Sequence, residues 1–178
     1  LGIRGKYVFT SGSLLPYRRC EDVISAFSRG VAPGYREARL VIAGSGSDQS
    51  YGSLLRHVIA ESGCADQILA LGQVPQDLMK ILYRRCRYFV AATEVEACPN
   101  TLLEAMASGC PILYANTPPL PEMLGEAGLG FTPRSVHELG DKMKMLWTNE
   151  GLLRALRGSS IQRAGDFSWS QCADSTFD

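Results

Sequence analysis

The sequence lacks the features that mark several specialised classes of protein. Its 18 Lys and Arg residues balance 18 Asp and Glu residues, whereas a domain that binds nucleic acid is usually basic. It has only two histidines, and none of its six cysteines belongs to a Cys-x-x-Cys pair. Because structural zinc sites use such ligands at such spacings, we expect neither a nucleic-acid partner nor a zinc site.

Long apolar runs are also missing. No stretch approaches the roughly 20 apolar residues of a membrane span, and no signal peptide is visible. The cysteines are scattered and several have apolar neighbours, which is typical of reduced thiols packed in a core. With 178 residues, of which 46% are hydrophobic, the chain is predicted to form one soluble, cytoplasmic domain over residues 1–178.

The sequence does contain a regular alternation of short apolar, β-branched runs and helical patterns. Strands are predicted at 6–11, 39–43, 68–71, 88–93, 111–115 and 129–132. Helices are predicted at about 18–29, 49–61, 76–85, 99–109, 135–147 and 150–164. Because short turns join these alternating elements, we predict an α/β fold: a Rossmann-like doubly wound, mostly parallel sheet with helices on both faces.

The main candidate site follows the fourth strand. Glu96 lies in the loop after that strand, and Glu104, eight positions later, lies just over one turn into the next helix. The amides of Asn100, Thr101 and Leu102 lie between the two carboxylates, and a helix start favours a phosphate there. Open parallel sheets bind their ligands at this edge, so the site is predicted to lie in a crevice.

The spacing fits a ligand with hydroxyls at both ends and phosphate in the middle, which describes a nucleotide sugar. Glu104 would accept hydrogen bonds from ribose hydroxyls, and Glu96 from hydroxyls at the far end. A structural role stays open at this point, because a Glu in the first turns of a helix favours the macrodipole without a ligand. A Glu in a loop is, in addition, normally solvated.

Residues 96–111, Glu-Ala-Cys-Pro-Asn-Thr-Leu-Leu-Glu-Ala-Met-Ala-Ser-Gly-Cys-Pro, resemble the E-x7-E segment of the retaining GT-B glycosyltransferases of family 4. The resemblance implies that Glu96, with Ala97 and Cys98, contacts the transferred sugar. It further implies that Glu104 binds the ribose and that the amides between them bind the donor diphosphate.

The loop after the first strand, residues 11–19, resembles the family's G-R-L…K-G segment, whose two cations grip the diphosphate. Arg18 stands where the family usually has Lys, but Ser13 stands where it usually has Arg. The resemblance thus makes Gly12, Ser13 and Arg18 candidates for contact with the diphosphate. Arg19 is a further candidate, as a replacement for the missing cation.

Two more loops resemble family segments that lie close to the nucleotide. Gly44 and Gly46 are placed for a close approach of the backbone and match a Gly-x-Gly loop, although a plain tight turn is the simpler explanation of these two glycines. Gln73 and Val74 match a loop whose backbone hydrogen-bonds the base. Backbone recognition leaves almost no side-chain signature, so the identity of the base is not readable from the sequence.

The resemblance implies retaining, metal-independent hexosyl transfer, with Glu96 and Arg18 as the candidate catalytic residues. No Asp-x-Asp pair occurs, so the leaving diphosphate is expected to be stabilised by Arg18 and the helix-start amides rather than by a metal. The expected co-substrate is a UDP- or GDP-sugar, with a slight preference for a GDP-mannose-like donor, and no cofactor is expected.

The resemblance covers nearly the whole chain but matches only the carboxyl-terminal, donor-binding half of a GT-B enzyme. We therefore expect the chain to be cut from a longer enzyme whose absent N-terminal domain holds the acceptor, such as a glycan or a lipid-linked sugar. On this view the isolated chain is inactive, and a peripheral association of the longer protein with a membrane is left open.

Two other classes of function also stay open. A NAD-dependent oxidoreductase shares the fold, but it needs a glycine fingerprint in the first strand–helix turn and an acid about twenty residues on. That turn, Gly12 to Arg18, has a single glycine. A non-catalytic nucleotide-sugar-binding or assembly module is favoured by Ser13 in place of the usual Arg and disfavoured by the presence of both Glu96 and Glu104.

Overall fold

The computed structural model of the chain describes residues 2–3, 5–97 and 99–168. Within them, the strands are β1 (Tyr7–Ser11), β2 (Arg39–Ala43), β3 (Ile68–Gly72), β4 (Tyr88–Ala91), β5 (Ile112–Ala115) and β6 (Gly128–Phe131). The α-helices are α1 (Cys20–Gly30), α2 (Gln49–Glu61), α3 (Gln76–Arg85), α4 (Asn100–Ala107), α5 (Leu120–Leu124), α6 (Val136–Thr148) and α7 (Glu150–Ala164). Short 3-10 turns lie at Pro16–Arg18, Ala32–Gly34, Ala65–Gln67 and Gly125–Ala127.

The sheet has the order β3-β2-β1-β4-β5-β6, and every neighbouring pair of strands is parallel. This confirms the prediction of a Rossmann-like α/β fold. From β1 the chain moves outward to β2 and β3, and it then returns to the other side of β1 as β4. The loops after β1 and β4 therefore diverge, and open α/β sheets bind their ligands in the crevice that this divergence leaves.

Two apolar layers sandwich the sheet, because successive side chains of a strand face opposite sides. Val8 and Val90 belong to the layer formed with α1, α2 and α6. Phe9 and Phe89 belong to the layer formed with α3 and α4, where both rings pack against Tyr83 with centroids 5.2 and 5.4 Å away. The buried core thus fixes the strands whose carboxyl ends carry the candidate site.

The predicted helix at 18–29 is interrupted at its start. A 3-10 turn over Pro16–Arg18 ends at Arg19, whose backbone is left-handed (φ 52°), and α1 begins only at Cys20. A left-handed residue cannot continue a right-handed helix. The fourth strand is also shorter than predicted and ends at Ala91, because the amide of Glu94 turns to donate to the carbonyl of Tyr17 at 2.8 Å.

A charged cluster at the start of α6 gives a testable pH dependence. Glu138 accepts hydrogen bonds from Lys142 Nζ at 2.7 Å and from the amide of Thr132 at 2.9 Å. These donors, Lys142 first, lower the pKa of Glu138 from 4.5 to about 2. Because the pKa is lowered in the folded state, this stabilisation is complete above pH 4.5 and is lost as the pH falls toward 2.

We therefore expect Glu138→Gln to lower the free energy of unfolding at pH 7 and to flatten its decrease between pH 4.5 and pH 2. Urea denaturation across that range measures both effects. Glu126→Gln is the control, since Glu126 is exposed and has no ion pair among the described residues. An equally steep acid decrease in the Glu138 variant and in the parent would contradict the assignment.

Candidate functional site

Residues in and around the loops after β1 and β4 line a cavity that opens to solvent. It lies between β1 and β4, where the order of the strands in the sheet reverses. Its lining includes the predicted residues Gly12, Ser13, Arg18, Glu96, Thr101 and Leu102. Residues separated by up to 90 positions in the sequence thus meet in one concavity.

An ion pair between Arg18 and Glu96 crosses this cavity. Arg18 Nη1 donates to Glu96 Oε1, and the Glu96 side chain is only 7% exposed. The guanidinium also lies over the ring of Tyr17, 5.3 Å from its centroid. Arg18 Nε is buried and has no hydrogen-bond partner. A buried donor without a partner costs on the order of 1–3 kcal/mol, so the site holds an unused N–H group.

Arg19, the neighbour of Arg18, turns into a cluster of carboxylates. Its Nε and Nη2 donate to the two oxygens of Asp22 at 3.0 Å, and its Nη1 lies 2.8 Å from Glu21. The hydrogen bond to Asp22 raises the pKa of Arg19, while burial raises the pKa of Asp22. The structure does not bring Arg19 to the cavity, contrary to the expectation that it replaces the missing cation, because its left-handed backbone directs it elsewhere.

The loop that carries Glu96 is anchored by a residue that the sequence analysis missed. Glu94 accepts a hydrogen bond from Arg134 Nη2 at 3.1 Å, and it lies 3.8 Å from Arg19 Nε. The hydrogen bond from Arg134 lowers the pKa of Glu94. The sequence offered one signal: glutamates at the alternate positions 94 and 96, and adjacent arginines at 18 and 19. Only the fold shows which guanidinium contacts which carboxylate.

The start of α4 differs in one respect from the prediction. The amide of Leu102 donates to the carbonyl of Pro99 at 2.9 Å, so it is not free for a ligand. Asn100 and Thr101 occupy the first two helical positions, whose amides have no acceptor within a helix, and Thr101 lines the cavity. Ala97 is exposed in the preceding loop, and Cys98 lies outside the described residues.

A second concavity continues the first toward β2 and β3. Gly44, Gln73 and Val74 line it. Both concavities share the residues Ser11, Gly12, Ser13 and Thr101. The two therefore form one groove, which runs from Glu96 at one end to Val74 at the other. Because the sequence predicts a nucleotide-sugar donor at these residues, we call it the donor groove below.

Gly44 and Gly46 allow two loops to pack backbone against backbone. A Cβ atom on Gly44 would lie 1.8 Å from the carbonyl oxygen of Gly12, and one on Gly46 would lie 2.1 Å from that of Leu14. The amide of Leu14 donates to the carbonyl of Ser45 at 3.1 Å. The predicted close approach of the backbone is therefore present, but each glycine approaches another loop of this chain rather than a nucleotide. Gly46 is also not among the described residues that line the groove.

Glu104 lies on α4 one turn after Thr101 and is not among the residues that line the donor groove. Its carboxylate has no hydrogen bond or ion pair with the described part of the chain. Burial and then the charge of Glu104 raise the pKa of Tyr83, whose hydroxyl lies 3.0 Å from Ser11 Oγ. Ser11 lines both halves of the groove, so within the described residues the structure connects Glu104 with the groove only through Tyr83.

The described residues provide neither a metal-binding cluster nor a membrane-spanning helix. No three His, Cys, Asp or Glu side chains among them are grouped as ligands for one metal ion. Over the same part of the chain, no helix combines the length and the apolar character that crossing a bilayer requires.

Comparisons with known proteins agree with this geometry. The Serotype-specific mannosyltransferase WbdA of Escherichia coli is 25% identical over 173 residues, which are 97% of this chain and 21% of that protein. The C-terminal domain of a glycosyl transferase group 1 family protein (LpcC) from Francisella tularensis matches with a TM-score of 0.82 at 22% identity, over 92% of this chain and 87% of that one.

A second solved structure, Anabaena Alr3699/HepE in complex with UDP, matches with a TM-score of 0.85 at 19% identity. The match covers 96% of this chain and 48% of that one, so this chain spans less than half of several of the proteins that it resembles. The model of the family described as glycosyl transferases group 1 matches residues 3–163. The chain therefore belongs to the glycosyl transferases group 1 family.

Proposed function

We propose that the donor groove binds a nucleotide-diphospho-sugar and that the domain serves retaining, metal-independent hexosyl transfer in a cytoplasmic enzyme. The observation that carries this proposal is the buried Arg18 Nε, a donor without a partner in a side chain that lines the groove. A guanidinium matches phosphate oxygens in geometry as well as in charge. The family supports the same assignment.

The order of residues along the groove suggests how the donor lies. Ser13 and Thr101 belong to both concavities and thus mark the middle, where Arg18 and the amides at the start of α4 would hold the diphosphate. Glu96, with Ala97 and Cys98, would contact the sugar at one end. Gln73 and Val74 would contact the base at the other end through their backbone, and Glu104 would hold the ribose between.

Transfer would break the bond between the anomeric carbon and the diphosphate oxygen, whose electron pair leaves with the diphosphate. It would form a bond from the acceptor hydroxyl oxygen to the same carbon, and the hydroxyl proton would pass to the leaving diphosphate. A fixed cation beside the diphosphate stabilises the developing charge without a metal, and we assign this role to Arg18. Glu96 holds the guanidinium through the ion pair and would contact the hydroxyls of the donor sugar. The acceptor hydroxyl would come from a second domain of a longer protein.

The identity of the donor can be tested by calorimetric titration with UDP, GDP, ADP, UDP-glucose, GDP-mannose and NAD. We expect nucleotide sugars to bind and NAD not to bind. Because several relatives carry the name mannosyltransferase, we propose a preference for GDP-mannose, although a structural neighbour holds UDP. Binding of NAD without binding of any nucleotide sugar would overturn the proposal and favour an oxidoreductase.

The non-catalytic module is the second candidate, because Arg19 does not supply the cation that Ser13 lacks. The two functions differ in their products rather than in their ligands. A full-length protein that binds the donor but releases no glycosylated acceptor and no free sugar would support the module. Retention would be read from the anomeric configuration of the product by NMR.

The ribose assignment gives a separate prediction. We expect Glu104→Ala to weaken binding of the bare nucleotide by about 1–3 kcal/mol, because a charged acceptor of two hydroxyl hydrogen bonds is lost. Calorimetry with GDP and UDP measures this change. Glu61→Ala removes an exposed carboxylate at the end of α2 and should leave the affinity unchanged, whereas equal affinities of parent and Glu104→Ala would refute the assignment.

A further inference from the structure

A second polar cleft lies at the amino-terminal edge of the sheet, opposite the donor groove. Its lining comes from the residues that precede β1 and β4 and from the first half of α7. We call it the basic cleft, after the five cations in its lining: Lys6, Arg85, Arg87, Arg154 and Arg157. Glu150 is the one carboxylate among its lining residues.

The single carboxylate of the basic cleft is already engaged. Glu150 lies 2.9 Å from Arg87 Nη1 and 3.3 Å from Lys6 Nζ. The first of these contacts is the larger cause of the lowered pKa of Glu150. Five cations and one carboxylate leave a surplus of four positive charges in this cleft, although the net charge of the whole chain is zero.

Two of the arginines, Arg157 and Arg87, are held in place by hydrogen bonds within the protein. Arg157 donates to the carbonyls of Gly109 at 3.2 Å and Cys86 at 3.0 Å. Arg87 is 8% exposed and uses both terminal nitrogens, on Glu150 and on the carbonyl of Trp147, yet its buried Nε has no partner. The cleft therefore holds a buried, unsatisfied cationic donor, which is rare in folded proteins.

The other cations have free donors. Arg85 makes no hydrogen bond or ion pair within the described residues, and the single bond of Arg154 there is a long one of 3.4 Å from Nε to the carbonyl of Glu150. A cation at the end of α3 favours that helix's dipole, which accounts for Arg85. A favourable interaction with a helix dipole does not account for Arg154 and Arg157, which lie in the first half of α7, or for Arg87, which lies outside the helices.

We propose that the basic cleft is an anion site that binds a phosphate group, separately from the donor groove. Guanidinium forks match phosphate oxygens in geometry as well as in charge. Cations that line a concave, low-dielectric surface repel one another strongly, and a bound anion would offset this repulsion. The group could belong to a free phosphate compound or to a phospholipid headgroup, and the test below separates these sources.

The test compares two double variants that remove the same charge from exposed positions. Arg85→Ala/Arg154→Ala alters the basic cleft, and Arg84→Ala/Arg56→Ala alters exposed arginines outside it. Both are made in the Arg18→Ala background, so that binding to the donor groove is weakened equally in the two. Calorimetry with inorganic phosphate and pyrophosphate measures free anions, and co-sedimentation measures binding to phosphatidylcholine vesicles with or without phosphatidylglycerol.

We expect the cleft variant to lose at least about tenfold in affinity, roughly the effect of one charge-assisted hydrogen bond, while the control keeps the affinity of its background. Loss of pyrophosphate binding would identify a free phosphate compound as the ligand, and loss of vesicle binding alone would identify a lipid headgroup. Equal binding by the two double variants, or no binding of either probe by the background protein, would overturn the proposal.

Discussion

Replacing Arg18 with alanine is expected to weaken the binding of GDP or UDP by about 10- to 100-fold. A hydrogen bond to a charged group contributes about 1.5–3 kcal/mol, and each 1.4 kcal/mol corresponds to a factor of about ten. The change also leaves Glu96, whose side chain is 7% exposed, without its partner. Calorimetric titration of the variant and the parent measures the difference.

The adjacent arginine supplies a matched control. Arg19→Ala removes the same charge one residue away, but from a guanidinium that is held by Asp22 outside the groove. We expect it to change the affinity for the nucleotide little, and Arg18→Lys to recover part of the loss. Equal weakening by the two alanine variants would show a general effect of charge and would contradict a specific contact from Arg18.

A variant of Glu96, the partner of Arg18, allows the contact with the sugar to be tested separately from the contact with the nucleotide. Glu96→Ala should spare the bare nucleotide and weaken the sugar conjugate, because the carboxylate lies at the end of the groove away from Val74. The ratio of the two affinities is the quantity to compare. A variant that loses both equally would place Glu96 at the diphosphate rather than at the sugar.

The largest effect on stability is expected from Gly44→Ala. The new Cβ atom would lie 1.8 Å from the carbonyl oxygen of Gly12, and the backbone of Gly44 has a φ of 137°. Steric overlap in a packed region costs about 1–3 kcal/mol, and backbone strain costs about 1–3 kcal/mol more. We therefore expect the free energy of unfolding to fall by about 2–6 kcal/mol, with loss of nucleotide binding as the two loops separate.

A variant at a second glycine separates the cost of steric overlap from the cost of backbone strain. Gly63 also has a positive φ, of 70°, but a Cβ atom there would have no neighbour within 4 Å. Gly63→Ala should therefore show only the cost of the left-handed backbone, about 1–2 kcal/mol. Urea denaturation of both variants measures the difference. If Gly44→Ala is no more destabilising than Gly63→Ala, the close approach of the two loops is not a source of stability.

The fold was largely predictable because its signals are local. The strands β2 and β3 and the helices α3 and α7 begin where the sequence predicts, since an apolar run or a periodic pattern marks each of them. The left-handed Arg19 was not predictable. Nothing in the type of an arginine favours that backbone, and contacts with Asp22 and Glu94, made in the folded chain, accompany it.

The candidate site was predictable in part. The resemblance brought Arg18 and Glu96 together across 78 positions, which periodicity cannot do, and the structure places them in contact. The glycines at 44 and 46 were correctly associated with a close backbone approach, but the sequence does not show which backbone approaches. The anchoring of Glu94 by Arg134 was missed because the two residues lie far apart along the chain. The roles of Glu104 and Val74 stay predictions.

The break between the 3-10 turn and α1 has a consequence for anyone who alters this loop. Arg18 and Arg19 are chemically identical, so the length of the loop before them, rather than its composition, decides which guanidinium lies in the groove and contacts Glu96. Deleting one residue between Gly12 and Tyr17 would move Arg19 to the position that Arg18 now occupies and would change the surroundings of both guanidinium groups. Insertions and deletions there should therefore be more harmful than substitutions.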